Sequence, residues 1–190
     1  MPGVYGLPEV YYLPAYVITG NLQERGTANG GTVAISHIDE HNKPTMVDVS
    51  GKDNTRRSAR AETYVSFPPE VYAQLQAAGM QGKKGPIIDT AIIAGVMAAK
   101  RTHDLIPFCH PLPIECCNIN IDEVPERTAL RITAHVRVTH KTGVEMEALT
   151  AATMAALTIY DMCKALTHDI VIGDTRLLSK RGGKSAVGQP

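Results

Sequence analysis

The sequence has few aromatic residues and no excess charge of either sign. It contains no tryptophan and two phenylalanines in 190 residues, and four of its seven tyrosines fall within the first sixteen positions. The rest of the chain therefore lacks an aromatic platform on which bases could stack. Nineteen basic and nineteen acidic side chains give a formal net charge of zero, without the broad positive field typical of nucleic-acid-binding proteins. We expect no nucleic-acid partner, and we expect any anion site to be local.

Long hydrophobic runs are also missing. The longest run, residues 91–99, is about half of the roughly 18 residues that cross a bilayer, so we expect no membrane association. The first twenty residues contain no lysine or arginine, and Pro8 and Pro14 interrupt them, which does not fit a signal peptide. The four cysteines are too few and too unevenly spaced for a disulfide framework. We expect a cytoplasmic protein with reduced thiols.

The remaining composition is that of an ordinary globular domain. Hydrophobic residues make up 44% and charged residues 20% of the chain, close to the averages for soluble domains. Proline and glycine punctuate residues 1–36 too often for a long helix or strand, so this segment is predicted to be an N-terminal extension. Residues 37–190 are predicted to form one folded domain, which carries the chemistry.

Hydrophobic periodicity predicts four strands and three helices in that domain. In chain order they are a strand at 61–67, helices at 70–78 and 88–102, strands at 117–122 and 130–138, a helix at 143–167 and a strand at 170–178. This order is the ferredoxin-like split βαβ pattern with one added helix. We therefore predict an α+β fold in which the helices pack on one face of an antiparallel sheet.

The loop at 104–111 places a thiol beside an imidazole. Cys109 and His110 are neighbours held between two prolines, but adjacent side chains point in different directions, so a Cys–His nucleophile pair is geometrically awkward. A metal centre would need further ligands from elsewhere in the chain, and a structural role for His110 is the remaining alternative. The glycine-rich ending at 182–185 is not a P-loop, because Leu178 stands where the first glycine of that motif belongs.

The longest predicted helix has acids near both ends. Thr142 and Glu145 fit a capping box at its start, whereas Glu147 does not have that role. Near the other end, Asp161 and Lys164 are three residues apart and lie on one face. Residues 146–165 carry almost no other charge, so we predict a largely buried helix that gives this pair perturbed proton affinities suited to acid–base catalysis. An exposed surface ion pair is the alternative.

The spacing of these acids bears on how a substrate could bind. Glu145 and Asp161 are sixteen residues apart, which separates them by about 24 Å on one straight helix. One small substrate does not readily touch both. Either one acid is structural, or the site is shared between two copies of the helix in neighbouring subunits. We predict an obligate homo-oligomer with sites between chains.

Five long runs of residues carry a specific resemblance. They are Met46–Ser50, Ala98–Thr102, Asp104–Pro111, Thr142–Thr150 and Ala155–Ala165. Through these runs the chain resembles the cyclic pyranopterin monophosphate synthase family, the molybdenum cofactor biosynthesis protein C family, over residues 36–185. Pro86, Phe108 and Ala186 depart from the pattern of that family.

The resemblance implies a reaction, an assembly and a set of site residues. The reaction converts a 3',8-cyclised dihydro-GTP, made by a partner radical enzyme, into cyclic pyranopterin monophosphate with release of diphosphate. The implied assembly is a homohexamer, a trimer of dimers with active sites between subunits. Asp161 becomes the catalytic acid–base residue, with Lys164 and Lys84 as further catalytic residues. The candidate substrate-binding residues are Phe108, Cys109, His110, Glu145, Met146, Glu147, Lys52, Arg57, Lys100, Lys180 and Lys184, of which the lysines and Arg57 are candidates for the triphosphate.

This chemistry needs repeated proton transfers and neutralisation of a leaving diphosphate. It needs no redox cofactor and no metal centre built from protein ligands, although magnesium could accompany the diphosphate. Two alternatives to this function remain open. One is a metal-dependent nucleotide hydrolase that uses His110 and nearby thiols. The other is an inactive ligand-binding oligomer, because a fold does not fix a function.

Overall fold

The computed structural model describes His41 and residues 43–188. These residues belong to one compact unit of the chain, residues 36–190. The predicted N-terminal extension, residues 1–36, lies outside the described residues.

Four long strands and two long helices form the frame of this unit. Its elements are β1 (Thr55–Ser66), α1 (Pro69–Ala77), β2 (Gln81–Gly82), β3 (Gly85–Pro86), α2 (Ile87–Lys100), α3 (Thr102–Leu105), β4 (Cys116–Val124), β5 (Ala129–His140), α4 (Glu145–Cys163) and β6 (Val171–Arg181). The short β2 and β3 pair only with each other.

The four long strands form one antiparallel sheet in the order β4-β5-β1-β6. If these strands β1, β4, β5 and β6 are counted as first to fourth along the chain, their order in the sheet is 2-3-1-4. This is the ferredoxin-like arrangement. Ala59, Ala61 and Val65 of β1 are buried on the helix side of the sheet. They alternate with polar residues on the other side, as a half-buried strand requires. The predicted fold is confirmed.

The predicted limits of several elements were wrong. β1 begins at Thr55 rather than at residue 61, because its first six residues hold a single apolar side chain, Ala59, and pairing with β5 defines them as strand. Residues 81–86, between the first two predicted helices, form the β2–β3 hairpin. Helix α4 begins at Glu145 and ends at Cys163, inside the predicted range of 143–167.

Helix α4 is buried on one face only, which corrects the prediction of a largely buried helix. Small side chains of α4, among them Ala148, Ala151 and Ala155, are fully buried against the sheet and α2. The opposite face is open, and the side chain of Leu157 is 50% exposed there. A helix rich in alanine and threonine lacked the polar residues that would have identified this open face in the sequence.

Helices α2 and α4 pack closely at Gly95. A β-carbon at this position would lie 2.5 Å from Cδ1 of Ile119 and 2.8 Å from the backbone oxygen of Ala151. We expect Gly95→Val to lower the free energy of unfolding in urea by about 1–3 kcal/mol or more, because the added atoms force the helices apart. Gly173→Ala is the control, since no atom lies within 4 Å of its added carbon. A Gly95→Val protein as stable as the wild type would contradict this packing.

Candidate functional site

A pocket of about 870 Å³ opens beside the first turn of α4. Ten of the predicted site residues line it, and they come from five separate parts of the chain. These ten are Lys52, Arg57, Phe108, Cys109, His110, Glu145, Met146, Glu147, Lys180 and Lys184. The fold thus gathers the predicted triphosphate-binding residues, apart from Lys100, at one end of the sheet.

The pocket also contains residues that the sequence analysis did not assign. Asp48, Lys141, Arg181 and Ser185 line it as well. Asp48 lies within the Met46–Ser50 run, so the family resemblance could have identified it as a site residue. Lys141 and Arg181 gave no signal in the sequence, because each is one basic residue at the end of a strand.

The loop at residues 47–52, which lines the pocket, is held in place by a turn at Asp48 and by Lys141. Asp48 accepts hydrogen bonds from the backbone nitrogen of Ser50 at 2.8 Å and from its hydroxyl at 3.1 Å. These bonds lower the pKa of Asp48, and electrostatic interactions with Lys141 and His110 lower it further. Lys141 donates to the backbone oxygen of Ser50 at 2.7 Å, which attaches the loop to the end of β5.

Two further cations have defined partners. Arg57 donates to the backbone oxygens of His140 and Lys141, both at 3.3 Å. Lys180 Nζ lies 3.0 Å from Oε1 of Glu145. The expected capping box is therefore wrong: Val144 is the N-cap and makes no side-chain cap bond, because Glu145 pairs with Lys180 across the pocket.

Glu147 is the buried acid of the pocket. The residue is 4% exposed, and burial raises the pKa of its carboxyl group to about 7, with a smaller contribution from the charge of Glu145. Burial, together with the charge of Glu147, also raises the pKa of the Cys109 thiol. Close to neutral pH, Glu147 can therefore act as either a hydrogen-bond donor or an acceptor toward a ligand.

The buried carboxyl predicts a pH-dependent stability. The folded state keeps the Glu147 proton up to about pH 7, whereas the unfolded chain releases it near the usual value of 4.5. Stability is therefore present at low pH and lost as the pH rises through this window. We expect the free energy of unfolding of the wild type, measured in urea, to fall between pH 5 and pH 8 by about 2–3 kcal/mol more than that of Glu147→Gln. Glu70→Gln, at an exposed position in α1, should follow the wild type; equal pH responses of the wild type and Glu147→Gln would contradict the prediction.

The three predicted catalytic residues meet at the other end of α4. Asp161 Oδ2 lies 2.7 Å from Lys84 Nζ, and Asp161 Oδ1 lies 2.8 Å from Lys164 Nζ. Lys84 reaches Asp161 from the turn between β2 and β3, and it also donates to the backbone oxygen of Asp161 at 3.2 Å. The structure therefore brings together a carboxylate and two ammonium groups that lie 77 and three residues apart in the sequence.

This cluster is open to solvent in the single chain, contrary to the predicted burial of Asp161 and Lys164. Both side chains are 52% exposed, because they lie on the open face of α4. Hydrogen bonds from Lys164 and Lys84 lower the pKa of Asp161 to about 2, and Asp161 in turn raises the pKa of Lys164. The proton affinities are perturbed, but by ion pairing, and in the direction opposite to that of the predicted burial, which would raise the pKa of Asp161 and lower that of Lys164.

Asp161, Lys164 and Lys84 do not line the pocket beside Glu145. The sixteen-residue separation along α4 keeps the two clusters about 24 Å apart. Lys100, at the C-terminal end of α2, does not line the pocket either. In the single chain, the predicted site is therefore in two parts.

The described residues contain neither a metal-binding cluster nor a membrane-spanning helix. Within the described part of the chain, no three His, Cys, Asp or Glu side chains are grouped so that they could hold a metal ion. In the same residues, no helix has both the length and the apolar character needed to cross a bilayer.

Comparison with known proteins gives a consistent result. A protein named cyclic pyranopterin monophosphate synthase from Xanthomonas oryzae pv. oryzae is 58% identical over 161 residues, which cover 85% of this chain and 97% of the relative. One of the same name from Xanthomonas campestris pv. campestris is 59% identical over 81% of this chain and 93% of the relative. Molybdenum cofactor biosynthesis protein 1 of Dictyostelium discoideum is 48% identical over 80% of this chain and 26% of its own length. The model of the MoaC family matches residues 46–183, and the chain belongs to this family.

Proposed function

We propose that the chain is a cyclic pyranopterin monophosphate synthase, a lyase of molybdenum cofactor biosynthesis. Its substrate is the 3',8-cyclised dihydro-GTP, and its products are cyclic pyranopterin monophosphate and diphosphate. The names of relatives that align over nearly their whole length support this assignment. The observation that carries it is the pocket beside α4, where cations from three separate segments, including Lys52, Arg57 and Lys180, surround one space.

The pocket fits the triphosphate end of this substrate. Cyclising one phosphate expels diphosphate, and several lysine and arginine side chains around one space stabilise the charge that leaves. Magnesium is proposed only as a companion of the diphosphate, and no redox cofactor is proposed. Beside the cations, Glu147, Met146 and Cys109 offer a half-apolar wall with one titratable acid, which suits the base of a purine nucleotide.

The Asp161 cluster supplies the groups for proton transfer. With a pKa near 2, Asp161 is ionised at neutral pH and can accept a proton. Lys84 and Lys164, each paired with it, can donate one. Opening the imidazole ring of the purine and closing the pterin ring require protons to be both removed and returned, and this cluster holds groups for both directions.

A second copy of the chain would unite the two parts of the site. In a two-fold contact, residue i of one copy faces residue j of the other, and j faces i. If Glu145 of one copy faces Asp161 of the other, the two-fold axis passes beside Thr153, which is midway between them in the sequence. Leu149 then faces Leu157, and this places apolar side chains of the open α4 face against each other. We propose this antiparallel α4 contact as the dimer within a cytoplasmic homohexamer, a trimer of dimers.

The proposed axis can be tested with one cysteine. Thr153 is exposed on α4, and the Cβ atoms of two copies on the axis would be close enough for a disulfide. We expect mild oxidation to convert most of the Thr153→Cys protein into a covalent dimer that reducing agent separates. The wild type controls for the four natural cysteines, and Leu166→Cys controls for an exposed thiol beyond the end of α4. A Thr153→Cys protein that stays monomeric on a denaturing gel would contradict the proposed contact.

The function itself is tested by turnover. The purified protein is supplied with the 3',8-cyclised dihydro-GTP, and diphosphate and the pterin product are both measured. Release of both products in equal amounts supports the proposal. Binding without turnover would favour the inactive ligand-binding oligomer, and diphosphate release that stops on chelation of a stoichiometric protein-bound metal would favour the hydrolase.

A further inference from the structure

The face of the sheet that points away from the helices contains a second polar hollow, of about 440 Å³. Its centre is one row of side chains across all four long strands. Asn118 pairs with His135, His135 with Arg60, and Arg60 with Ser179. The lining contains hydroxyl, amide, imidazole and guanidinium groups but no carboxylate.

The acids of the neighbouring rows are already neutralised. Glu62 accepts a hydrogen bond from Arg176 at 2.8 Å, and Asp122 accepts one from Arg131 at 3.1 Å. The strand arginines nearest His135 differ from these. Arg60 lines the hollow, Arg137 lies two residues from His135, and neither side chain has a hydrogen bond or ion pair with another described residue.

The positive charges of Arg60 and Arg137 act on His135, which lines the hollow. Burial lowers the pKa of His135, and the charges of Arg137 and Arg60 lower it further. By strand register, Arg60 and Arg137 are diagonal neighbours, a relation in which residues lie about 7–8 Å apart. Arg60 can bind an oxyanion in the hollow through paired N–H donors, and the charge of Arg137, opposite the lining residue Ser58, favours the same anion.

We propose that this hollow binds an oxyanion of the di- or triphosphate class, separately from the pocket beside α4. Arg60 holds the anion, Asn118 and Ser179 donate further hydrogen bonds, and Arg137, which lies beside the hollow and not in its lining, adds positive charge. A hollow of this volume lies within the range of small-molecule sites and has room for more than one phosphate group. Arg181 is the one residue that lines both this hollow and the α4 pocket.

The test follows the His135 ring signal by NMR in the full-length protein, with the signal assigned by its loss in His135→Gln. Inorganic diphosphate and a nucleoside triphosphate are added in separate titrations, which distinguish the free anion from a nucleotide tail. We expect the signal to move saturably, and we expect Arg60→Gln to weaken the apparent affinity by about tenfold or more, because it loses a charged donor in the lining, and Arg137→Gln to weaken it less. Arg56→Gln, on the same strand but outside the lining, should leave the titration unchanged.

A second control separates this hollow from the α4 pocket. Lys180→Gln removes a cation of that pocket only, and the response of His135 should persist in it. A His135 signal that does not move at high anion concentration would overturn the proposal. Equal weakening by Arg56→Gln, or loss of the response in Lys180→Gln, would overturn it too, because the anion would then be a diffuse counterion or would lie beside α4.

Discussion

Asp161→Asn should lower kcat by about 10²–10⁴-fold in the diphosphate-release assay, the range expected when a general acid–base group is removed. The amide keeps the shape of the side chain but cannot take up a proton, and it no longer holds Lys84 and Lys164 by charge. Because the side chain is 52% exposed, the substitution should leave the fold intact. The measurement is steady-state turnover together with a thermal unfolding curve.

The matched control is Asp169→Asn, which makes the same change at an exposed position just beyond α4. It should retain wild-type kcat. The pocket beside Glu145 is unchanged in Asp161→Asn, so KM should change much less than kcat. Full activity of Asp161→Asn would remove Asp161 from the mechanism, even if the reaction itself is confirmed.

Mixing two inactive variants should restore activity if the site is shared. We expect Glu145→Ala and Asp161→Asn to be inactive as separate proteins. In a mixed dimer, one of the two sites combines Glu145 from the second chain with Asp161 from the first and is wholly wild type. Random exchange of equal amounts makes half of the dimers mixed, so about a quarter of all sites should recover. Activity measured after subunit exchange should approach that fraction of wild type.

The control for complementation is a variant that damages the same half of the site. Glu145→Ala mixed with Lys180→Gln should not recover, because both changes fall in the pocket beside α4. Differently tagged subunits establish that exchange has taken place. Absence of recovery in the first mixture, with exchange demonstrated, would show that each chain builds its own site.

Much of the fold could be predicted because burial repeats along the chain. The alternation of Leu130, Ile132 and Ala134 in β5 follows directly from one buried face of a strand. The start of β1 gave no such signal, because Ala59 is its single apolar side chain: Arg56 and Arg60 lie on the open side of the sheet, whereas Arg57 lines the pocket beside α4. The β2–β3 hairpin follows a backbone turn at Gly79 and Met80, both with positive φ angles, and methionine rarely marks such a turn.

The site could be predicted by residue type more readily than by environment. The Ala155–Ala165 run contains Asp161 and Lys164, the family resemblance implied Lys84, and the structure places all three in contact. Their exposure could not be foreseen, because an alanine-rich helix looks equally apolar on the covered and uncovered sides. Lys141 was missed for a different reason: its contact with Ser50 joins residues 91 positions apart, and only the folded sheet brings them together.

Pro86 helps to hold the Lys84 amine in position before a ligand binds. It ends the β2–β3 hairpin and is the N-cap of α2, with φ of −66°, close to the angle that its ring enforces. Its backbone oxygen also accepts a 2.6 Å bond from Thr90. The hairpin is therefore anchored at its base, and the conformational entropy of placing this amine is lost largely during folding. Such preorganisation leaves less ordering to be done when the reactive complex forms.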